Sequence, residues 1–397
     1  MPDVSAPSVA GRIRRALGVL GLVGLVVAAL LSGTDRESRE FPNSPSYVGW
    51  PYDTGAARSK AILAFVQRGP QKAIGYARRA IVSDPISAQA ISIFGQAQLY
   101  SQHLPEAHAA FVVSGQLGWR DSMTQIYWLD QALQDQNYKV AAERLDALLR
   151  QSPTDENRDR FLAAVAATPD GRSALAGRLK LHPIWARPVV SDVRELPLDQ
   201  LQLRVDIMRR AGKGVWDCPA TENIAQALIN QNMLDVAQEV WRLNCEGTGS
   251  LIYDGSFERF DTIKPTAAFD WQLSNRGDAV ISLGDDGTGN RSLALEVTAT
   301  ITLPIIRQLV VLNPGRYRLT WHTPQTGAEM VRGLTVSLGC KPELSKAISG
   351  KPVAGKPDTW SADFTVDGEC PARQLVFWLA PKSPIRLDDV SLVAARP

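Results

Sequence analysis

The feature that most constrains this chain is an amphipathic pattern that recurs three times at intervals of 34 residues. The segment 138–153, YKVAAERLDALLRQSP, aligns with 104–119 and with 70–85 when it is shifted by one and by two intervals. Apolar residues follow one another at helical spacing in each copy, and each copy has a partner helix upstream. The matched positions are Ala73, Ala107 and Ala141; Ala77, Phe111 and Leu145; Ala80, Ser114 and Leu148; Pro85, Trp119 and Pro153; and, upstream, Ala61, Gly95 and Leu129.

This pattern resembles the tetratricopeptide repeat, a 34-residue unit of two antiparallel helices with small residues where they cross. Small side chains let two helix axes approach closely, and each pair buries its remaining face against the next pair. The resemblance implies a TPR-like α-solenoid over residues 58–187, with a degenerate fourth unit from 154 to 187. In that unit Ala163 fits, but Leu175 replaces the small residue and Arg187 replaces the proline.

Residues 188–248 are predicted to be helical, mostly outside the 34-residue register, and to end in a further TPR-like pair. Ala225 and Ala237 are twelve residues apart, which is the internal spacing of the earlier units, and Trp241 takes the large position. This region therefore extends the helical part of the chain to about residue 248.

The four cysteines fall as two local pairs, Cys218 with Cys245 and Cys340 with Cys370. Four cysteines allow three connectivities, and sequence alone does not choose among them. An antiparallel helix hairpin brings the first two together and neighbouring strand ends bring the second two together, so geometry favours two local disulfides. Four buried, reduced thiols are the alternative. Disulfides agree with an exported chain.

After residue 250 the composition changes, because glycines and β-branched residues multiply and the helical periodicity ends. Short runs of residues either alternate between apolar and polar or are apolar throughout. They are separated by Gly, Pro, Asn and Asp turns, which is typical of antiparallel strands. About 145 such residues suit a β-sandwich over 250–397. The predicted strands lie in 292–299, 315–323, 334–339, 360–366 and 373–380.

The two ends of this tail carry short motifs, LIYDGSFERFD at 251–261 and IRLDDVSLV at 385–393. Together with LNPGRYRLTW between them, they resemble the galactose-binding-like jelly roll of carbohydrate-binding modules. In those modules an opening G-x-F-E and a closing D-D-V-x-L lie on adjacent strands. The resemblance implies a jelly roll, and it implies glycan binding as one role of the tail, although many domains of this fold bind only protein.

The same family often holds a structural calcium ion near its first and last strands. The resemblance therefore implies calcium at Glu258 and Asp388, with Asp254 and Asp389 nearby. Oxygen ligands that converge from distant segments of a chain are suited to calcium. The alternative is that Asp254 and Asp389 are turn residues. No other cofactor is expected.

Glycan binding would need an aromatic face that is exposed on a sheet, with polar groups beside it. The tail supplies Trp271, Trp321, Trp360 and Trp378. Trp321 and Trp360 each share a strand face with other apolar residues and are predicted to be core. Trp378 has apolar neighbours on both faces of its strand, so its side is undecided, and it is the candidate glycan-binding residue.

The N-terminal sequence predicts a membrane segment rather than part of a soluble fold. A basic segment, 1–15, precedes an apolar segment, 16–33, whose length lies between a signal-peptide core and a full span of about 20 residues. We expect an uncleaved single-pass anchor, with cleavage as a signal peptide the alternative. Arginines 12, 14 and 15 should stay cytoplasmic. After a linker at 34–57, the bulk of the chain would lie on the periplasmic side of a bacterial inner membrane.

Several function classes find no support in the sequence. A formal net charge of +2 with no dense basic block argues against nucleic-acid binding. The four histidines form no ligand pair, and the chain has no GxSxG, HExxH or GxGxxG motif. The stretch GKPVAGKP at 350–357 has proline where a phosphate loop needs Ser or Thr. No enzymatic activity is predicted.

The sequence therefore predicts a membrane-anchored periplasmic adaptor whose solenoid groove binds a protein partner. Its architecture suggests a part in assembly or export of a cell-surface polysaccharide, which the C-terminal domain would bind. A purely structural scaffold of an envelope complex is the main alternative, and a glycan-processing enzyme is a more distant one. The partner, the sugar and the oligomeric state stay open.

Overall fold

The computed structural model divides the chain into two compact units, residues 1–165 and 166–397. Thirteen helices precede eleven strands in the part of the chain that it describes. The change from helix to strand lies within the second unit, after the last helix, and not at the division between the units. The described residues are 9–41, 53–153, 157–245, 250–260, 268–273, 277–285, 290–324, 331–340, 346–356, 358–368, 370 and 372–395.

The first unit contains a long N-terminal helix, then three antiparallel helix pairs, then a short helix at the boundary of the unit. Each pair contacts the next one along the chain. The first helices of the pairs begin 34 residues apart, and so do the second helices. The helices are α1 (Val9–Glu40), α2 (Thr54–Val66), α3 (Pro70–Ser83), α4 (Ala88–Tyr100), α5 (Leu104–Gln116), α6 (Ser122–Gln134), α7 (Tyr138–Gln151) and α8 (Arg158–Ala166).

The turn inside each pair has the same backbone conformation. Arg68, Gln102 and Gln136 have positive φ values of 58°, 64° and 55°, and they too are 34 residues apart. The next amide then bonds back to a carbonyl five residues earlier, as from Gly69 N to Ala64 O at 2.8 Å. This is the left-handed helix ending that satisfies carbonyl groups at a C-terminus, here made without glycine at the left-handed position.

Small side chains occupy the positions where the helices of a pair cross. Ala73, Ala107 and Ala141 are 0%, 1% and 0% exposed. A Cβ added to Gly95 would lie 3.1 Å from the ring of Phe111. The side chains at these positions therefore limit how closely the helix axes approach.

We predict that Ala107→Leu destabilises the first unit by about 1 to 3 kcal/mol, because a larger side chain overpacks a filled crossing. Ala109→Leu is the matched control, since Ala109 lies on the same helix and is exposed. Thermal or urea unfolding of both variants checks this. Equal tolerance at the two positions would show that the 34-residue register does not set the helix contacts.

Helix α1 is longer than the apolar segment that the sequence indicates. Its stretch Ala16–Ser38 is, among the described residues, the one helical segment long and apolar enough to cross a membrane, and a signal sequence would meet the same test. The helix continues to Glu40 and its C-terminal turns contact α2. The predicted linker at 34–57 is therefore helical at both ends. Residues 42–52 of that linker, and 1–8 of the basic segment, lie outside the described residues.

The helices of the second unit end in the predicted hairpin. Cys218 begins its first helix and Cys245 follows its second, and the two form a disulfide with a Cα–Cα distance of 4.9 Å. The local pairing expected from hairpin geometry is thus confirmed. The helices are α9 (Pro169–Leu179), α10 (Ala186–Ser191), α11 (Leu198–Ala211), α12 (Cys218–Asn230) and α13 (Leu234–Asn244).

The strands form an antiparallel β-sandwich of two sheets. One sheet has the strand order β1-β4-β10-β6-β7, and the other has the order β2-β3-β11-β5-β9-β8. All five predicted strands are present. The strands are β1 (Gln272–Leu273), β2 (Ala279–Asp285), β3 (Arg291–Val297), β4 (Leu303–Val311), β5 (Gly315–His322), β6 (Leu334–Gly339), β7 (Lys346–Ile348), β8 (Lys351–Pro352), β9 (Thr359–Val366), β10 (Ala372–Leu379) and β11 (Ile385–Ala394).

The hydrophobic core of the sandwich lies between its two sheets. Tyr317, Leu319 and Trp321 of β5 are buried there, as their shared strand face predicts. Cys340, directly after β6, bonds to Cys370, just before β10, which confirms the second local disulfide. Since β6 and β10 are neighbours in one sheet, this disulfide joins adjacent strand ends.

Candidate functional site

The opening and closing motifs of the sandwich lie side by side. Val390 N donates to Gly255 O at 2.8 Å, and Leu251 N donates to Leu392 O at 2.7 Å. A Cβ on Gly255 would lie 1.9 Å from Val390 O, so only glycine fits this approach. The predicted adjacency is confirmed, but residues 251–260 form bends and turns rather than a strand. The opening motif is thus held by its contact with β11.

The two predicted calcium ligands are fixed by neighbouring residues at the start of β3. Asn290 donates its side-chain amide to Asp388 Oδ2 at 3.1 Å, and Arg291 N donates to Glu258 Oε1 at 2.9 Å. The Arg291 guanidinium also donates to Glu258 O at 2.8 Å. Asn290 and Arg291, which are consecutive residues at the start of β3, therefore hydrogen-bond to the two carboxylates. These carboxylates come from opposite ends of the tail.

Burial sets the electrostatics of these carboxylates. Asp388 is 2% exposed, and its desolvation raises its pKa above the usual value. Desolvation also raises the pKa of Asp254, although both of its carboxylate oxygens accept from Arg259 N. Asp254 and Asp389 have φ values of 46° each, so both have the left-handed conformation typical of turn residues.

These residues meet only part of what a calcium site requires. Their donor atoms are oxygens, as calcium prefers, and they come from distant segments. However, Glu258 Oε1 and both Asp388 oxygens already accept hydrogen bonds. No group of three or more His, Cys, Asp or Glu side chains suited to a metal occurs among the described residues. Calcium at Glu258 and Asp388 stays a prediction.

A cleft of about 410 Å³ runs along the paired motifs. Its lining carries both signs of charge, since Asp254, Glu258 and Asp389 line it together with Arg259. The left-handed turns at Asp254 and Asp389 place these side chains around one opening. The cleft therefore brings charged residues of both sequence motifs together.

Asp270 is a residue that the sequence did not single out. Its pKa is raised from 3.8 to about 6, chiefly by burial and in smaller part by nearby Asp254 and Glu222, against a hydrogen bond from Trp271 N that lowers it. Glu222 belongs to α12, so the charges of the helix hairpin and of the sandwich meet here. No local pattern could have revealed this, because the three carboxylates come from separate segments.

Trp378 lies on the outer face of its sheet, which settles the side that the sequence left undecided. It is directly opposite Pro304 on β4 and Thr335 on β6, whereas its strand neighbours Phe377 and Leu379 are in the core. The side chain is half-buried, and its indole N–H donates to the Ser337 hydroxyl at 2.7 Å.

The other three tryptophans of the tail are directed to the core. Trp271 and Trp321 are buried within it, and Trp360 packs against it. Polar groups share the outer face with Trp378: Arg307 donates to the Gln272 side chain at 2.9 Å, and both positions lie on that face by register.

A second cleft, of about 300 Å³, lies between α13 and β4. Trp241, Tyr253 and Phe269 line it, and the Trp241 and Tyr253 ring centroids are 5.2 Å apart. Gln238 of α13 donates to Val311 O at 3.2 Å, which fixes the helix hairpin on the sandwich. The three aromatic residues lie in the contact between the helix hairpin and the sandwich. Sequence periodicity does not reveal this contact.

No protein-family model matches the chain, and no curated protein sequence matches it. Solved structures similar to part of it include the enzymatically active domain of tailspike protein 4 from Bacteriophage CBA120. That structure is 14% identical, with a TM-score of 0.26, and the match covers 37% of this chain but only 22% of the tailspike chain.

Two further similar structures include carbohydrate-binding modules. TmCBM61, in complex with β-1,4-galactotriose, is 12% identical over 37% of this chain and 99% of its own, with a TM-score of 0.25. The CBM22-1–GH10 modules of Clostridium thermocellum xylanase 10B, complexed with xylohexaose, are 16% identical over 32% of this chain and 26% of their own. Their TM-score is 0.22. Scores this low carry no conclusion about the function of this chain.

We predict that millimolar calcium raises the melting temperature of the full chain if Glu258 and Asp388 bind it, because a ligand that binds only the folded state stabilises it. Glu258→Gln should remove that rise. Glu296→Gln is the control, since Glu296 is an exposed carboxylate on the same strand as Arg291. A calcium response that persists in Glu258→Gln, or its absence in the unaltered chain, would remove calcium from this site.

A further prediction concerns pH. Because folding raises the pKa of Asp270, the protonated carboxyl favours the folded state. This contribution to stability is complete below about pH 4 and is lost as the pH rises through about 6. Asp270→Asn should therefore increase stability at pH 7.5 by about 2 to 3 kcal/mol, and by little at pH 4. Calorimetric unfolding at the two pH values measures this difference.

Asp363→Asn is the matched control, because Asp363 is exposed and its hydrogen bond from Arg318 lowers its pKa. This variant should gain no stability at pH 7.5. If Asp270→Asn is no more stable than the unaltered chain at that pH, the carboxylate is not desolvated in the folded protein.

Proposed function

We propose that this protein is a membrane-anchored scaffold of the bacterial cell envelope. Its helix pairs bind a protein partner, and its β-sandwich binds glycan. The observation that carries the proposal is the continuity of α1: an apolar segment with exposed side chains runs without a break into turns that pack on the first helix pair. Apolar side chains exposed over such a length need lipid, since water makes their exposure costly.

The two disulfides support placement of the second unit outside the cytoplasm, because cytoplasmic thiols are normally kept reduced. With the arginines before the apolar segment on the cytoplasmic side, the remainder of the chain lies in the periplasm. One helix that spans the inner membrane then joins the two compartments.

A protein-binding role for the helix pairs is supported by their regular spacing and by their exposed apolar residues. A TPR-like stack presents the surfaces of successive pairs side by side, and a partner can contact several of them together. Tyr100 and Ile126 are large and exposed in the second and third pairs, and so is Trp119 in the connection between those pairs. The Arg144 guanidinium lies 3.9 Å from the centre of the Trp119 ring and holds it in place.

Glycan binding by the sandwich is the second part of the proposal, and Trp378 favours it. An indole fixed by a hydrogen bond to Ser337 offers a rigid apolar surface, and Arg307 and Gln272 supply polar groups on the same face. This combination suits a sugar ring, which has apolar faces and polar edges. Polysaccharide assembly or export would be the setting, and no catalytic role is proposed.

Extraction of membranes tests the anchor. The full chain, expressed in bacteria, should stay in the membrane pellet after washing with alkaline carbonate and should dissolve only in detergent. The matched variant carries Leu22→Arg and Val26→Arg, which place charge within the apolar segment at several kcal/mol each. That variant should be lost from the pellet. If carbonate releases the unaltered chain, the scaffold is not anchored by α1.

Affinity chromatography on envelope polysaccharides tests the glycan site. Trp378→Ala should lower the retention of the full chain at least several-fold while leaving the fold intact, which circular dichroism checks. Val393→Ala is the control, since Val393 is exposed on the opposite sheet. If the unaltered chain is retained on none of the polysaccharides, glycan is removed from the proposal and the sandwich is a protein-binding or capping domain.

A further inference from the structure

The C-terminal turns of α1 dock on α2 through a buried carboxylate. Asp35 Oδ1 accepts a hydrogen bond from Ala56 N, an amide in the first turn of α2, at 3.0 Å. Asp35 is 6% exposed and Ser38, one turn later, is 1% exposed. The turns around Asp35 therefore belong to the packed structure of the first helix pair.

This contact replaces a missing N-cap. Asp53 precedes α2 in the N-cap position, but its side chain makes no capping hydrogen bond. Its carboxylate instead pairs with Arg79 of α3 at 2.7 Å. The first amides of a helix have no partner within the helix, and the positive end of the helix dipole favours a negative charge there. Asp35 supplies both the acceptor and the charge from a different helix.

The position of Asp35 along α1 matches the thickness of a bilayer. Residues 16–34 carry no charge, and at 1.5 Å per residue they span about 29 Å. The hydrocarbon core of a membrane is about 30 Å thick. With the apolar stretch inside the hydrocarbon, Asp35 lies at its boundary, and so does the first turn of α2 that is bonded to it.

We propose that the lipid headgroup layer is a binding surface for the first helix pair, and that Asp35 holds the pair against it. This rests on the proposed membrane anchor. Helix α1 then serves as a rigid stem and not as a flexible tether. Arg36 is exposed at this end of the pair and carries charge that lipid phosphates attract, and Arg79, although paired with Asp53, is 43% exposed. The partner of the helix pairs is consequently one that lies close to the membrane.

The test uses the full chain in lipid nanodiscs with two spin labels. All native cysteines are in disulfides, so the substitutions Ser32→Cys and Gln71→Cys provide the only free thiols. Both positions are exposed, one on α1 and one on α3. A docked stem predicts one narrow distance distribution. Asp35→Ala should broaden it, and Asp35→Asn, which keeps an acceptor oxygen, should broaden it less.

Glu37→Ala is the control, because Glu37 is an exposed carboxylate two residues from Asp35. It should leave the distribution narrow. Energy transfer from a dye at Gln71→Cys to headgroup-labelled lipid should be efficient in the unaltered chain and should fall in Asp35→Ala. A chain that does not enter nanodiscs refutes the anchor itself. A chain that enters them with a broad distribution, or with one that Asp35→Ala leaves unchanged, refutes the stem alone.

Discussion

The first unit depends on the close approach of paired helices at small side chains. Ala73, Ala107 and Ala141 leave room for a neighbouring helix, and a left-handed turn after each first helix reverses the chain at the right place. In a stack of such pairs, the first pair has one face that no preceding pair covers. The end of α1 covers part of that first pair and supplies the missing cap of α2. The apolar segment of α1 and the helix pairs are thus parts of one continuous structure.

In the second unit the equivalent constraint is the contact between Gly255 and Val390, where no side chain fits. It closes the sandwich by joining the two ends of the tail, and it places acidic residues from both ends around one cleft. Burial then raises the pKa of carboxyl groups at and near this contact. Asp388 and Asp254 show raised pKa values, and the pKa of Asp270 reaches about 6. The same packing that completes the fold therefore raises the pKa values of these three carboxyl groups, of which Asp254 lines the cleft.

Much of the fold was predictable, because it follows from local periodicity. The three helix pairs, the five strands, both disulfides and the core face of β5 were all indicated by spacing of apolar residues or cysteines. Three features were not indicated by such spacing: the cap from Asp35, the left-handed conformation of Arg68, Gln102 and Gln136, and the charge cluster at Asp270. Each depends on contact between segments far apart, or on a conformation for which sequence normally uses glycine. The side of Trp378 was undecided for a similar reason, since a bulge on β4 accompanies its position.

The central claim is that α1 stays attached as a stem that joins the membrane to the helix pairs and an oxidised second unit. The intact mass of the protein purified from bacterial membranes tests this most directly. The account predicts a mass close to 43.3 kDa, with the apolar segment of α1 retained and both disulfides formed. A mass that lacks the residues up to the end of the apolar segment would show that α1 is a cleaved signal, and it would contradict the account.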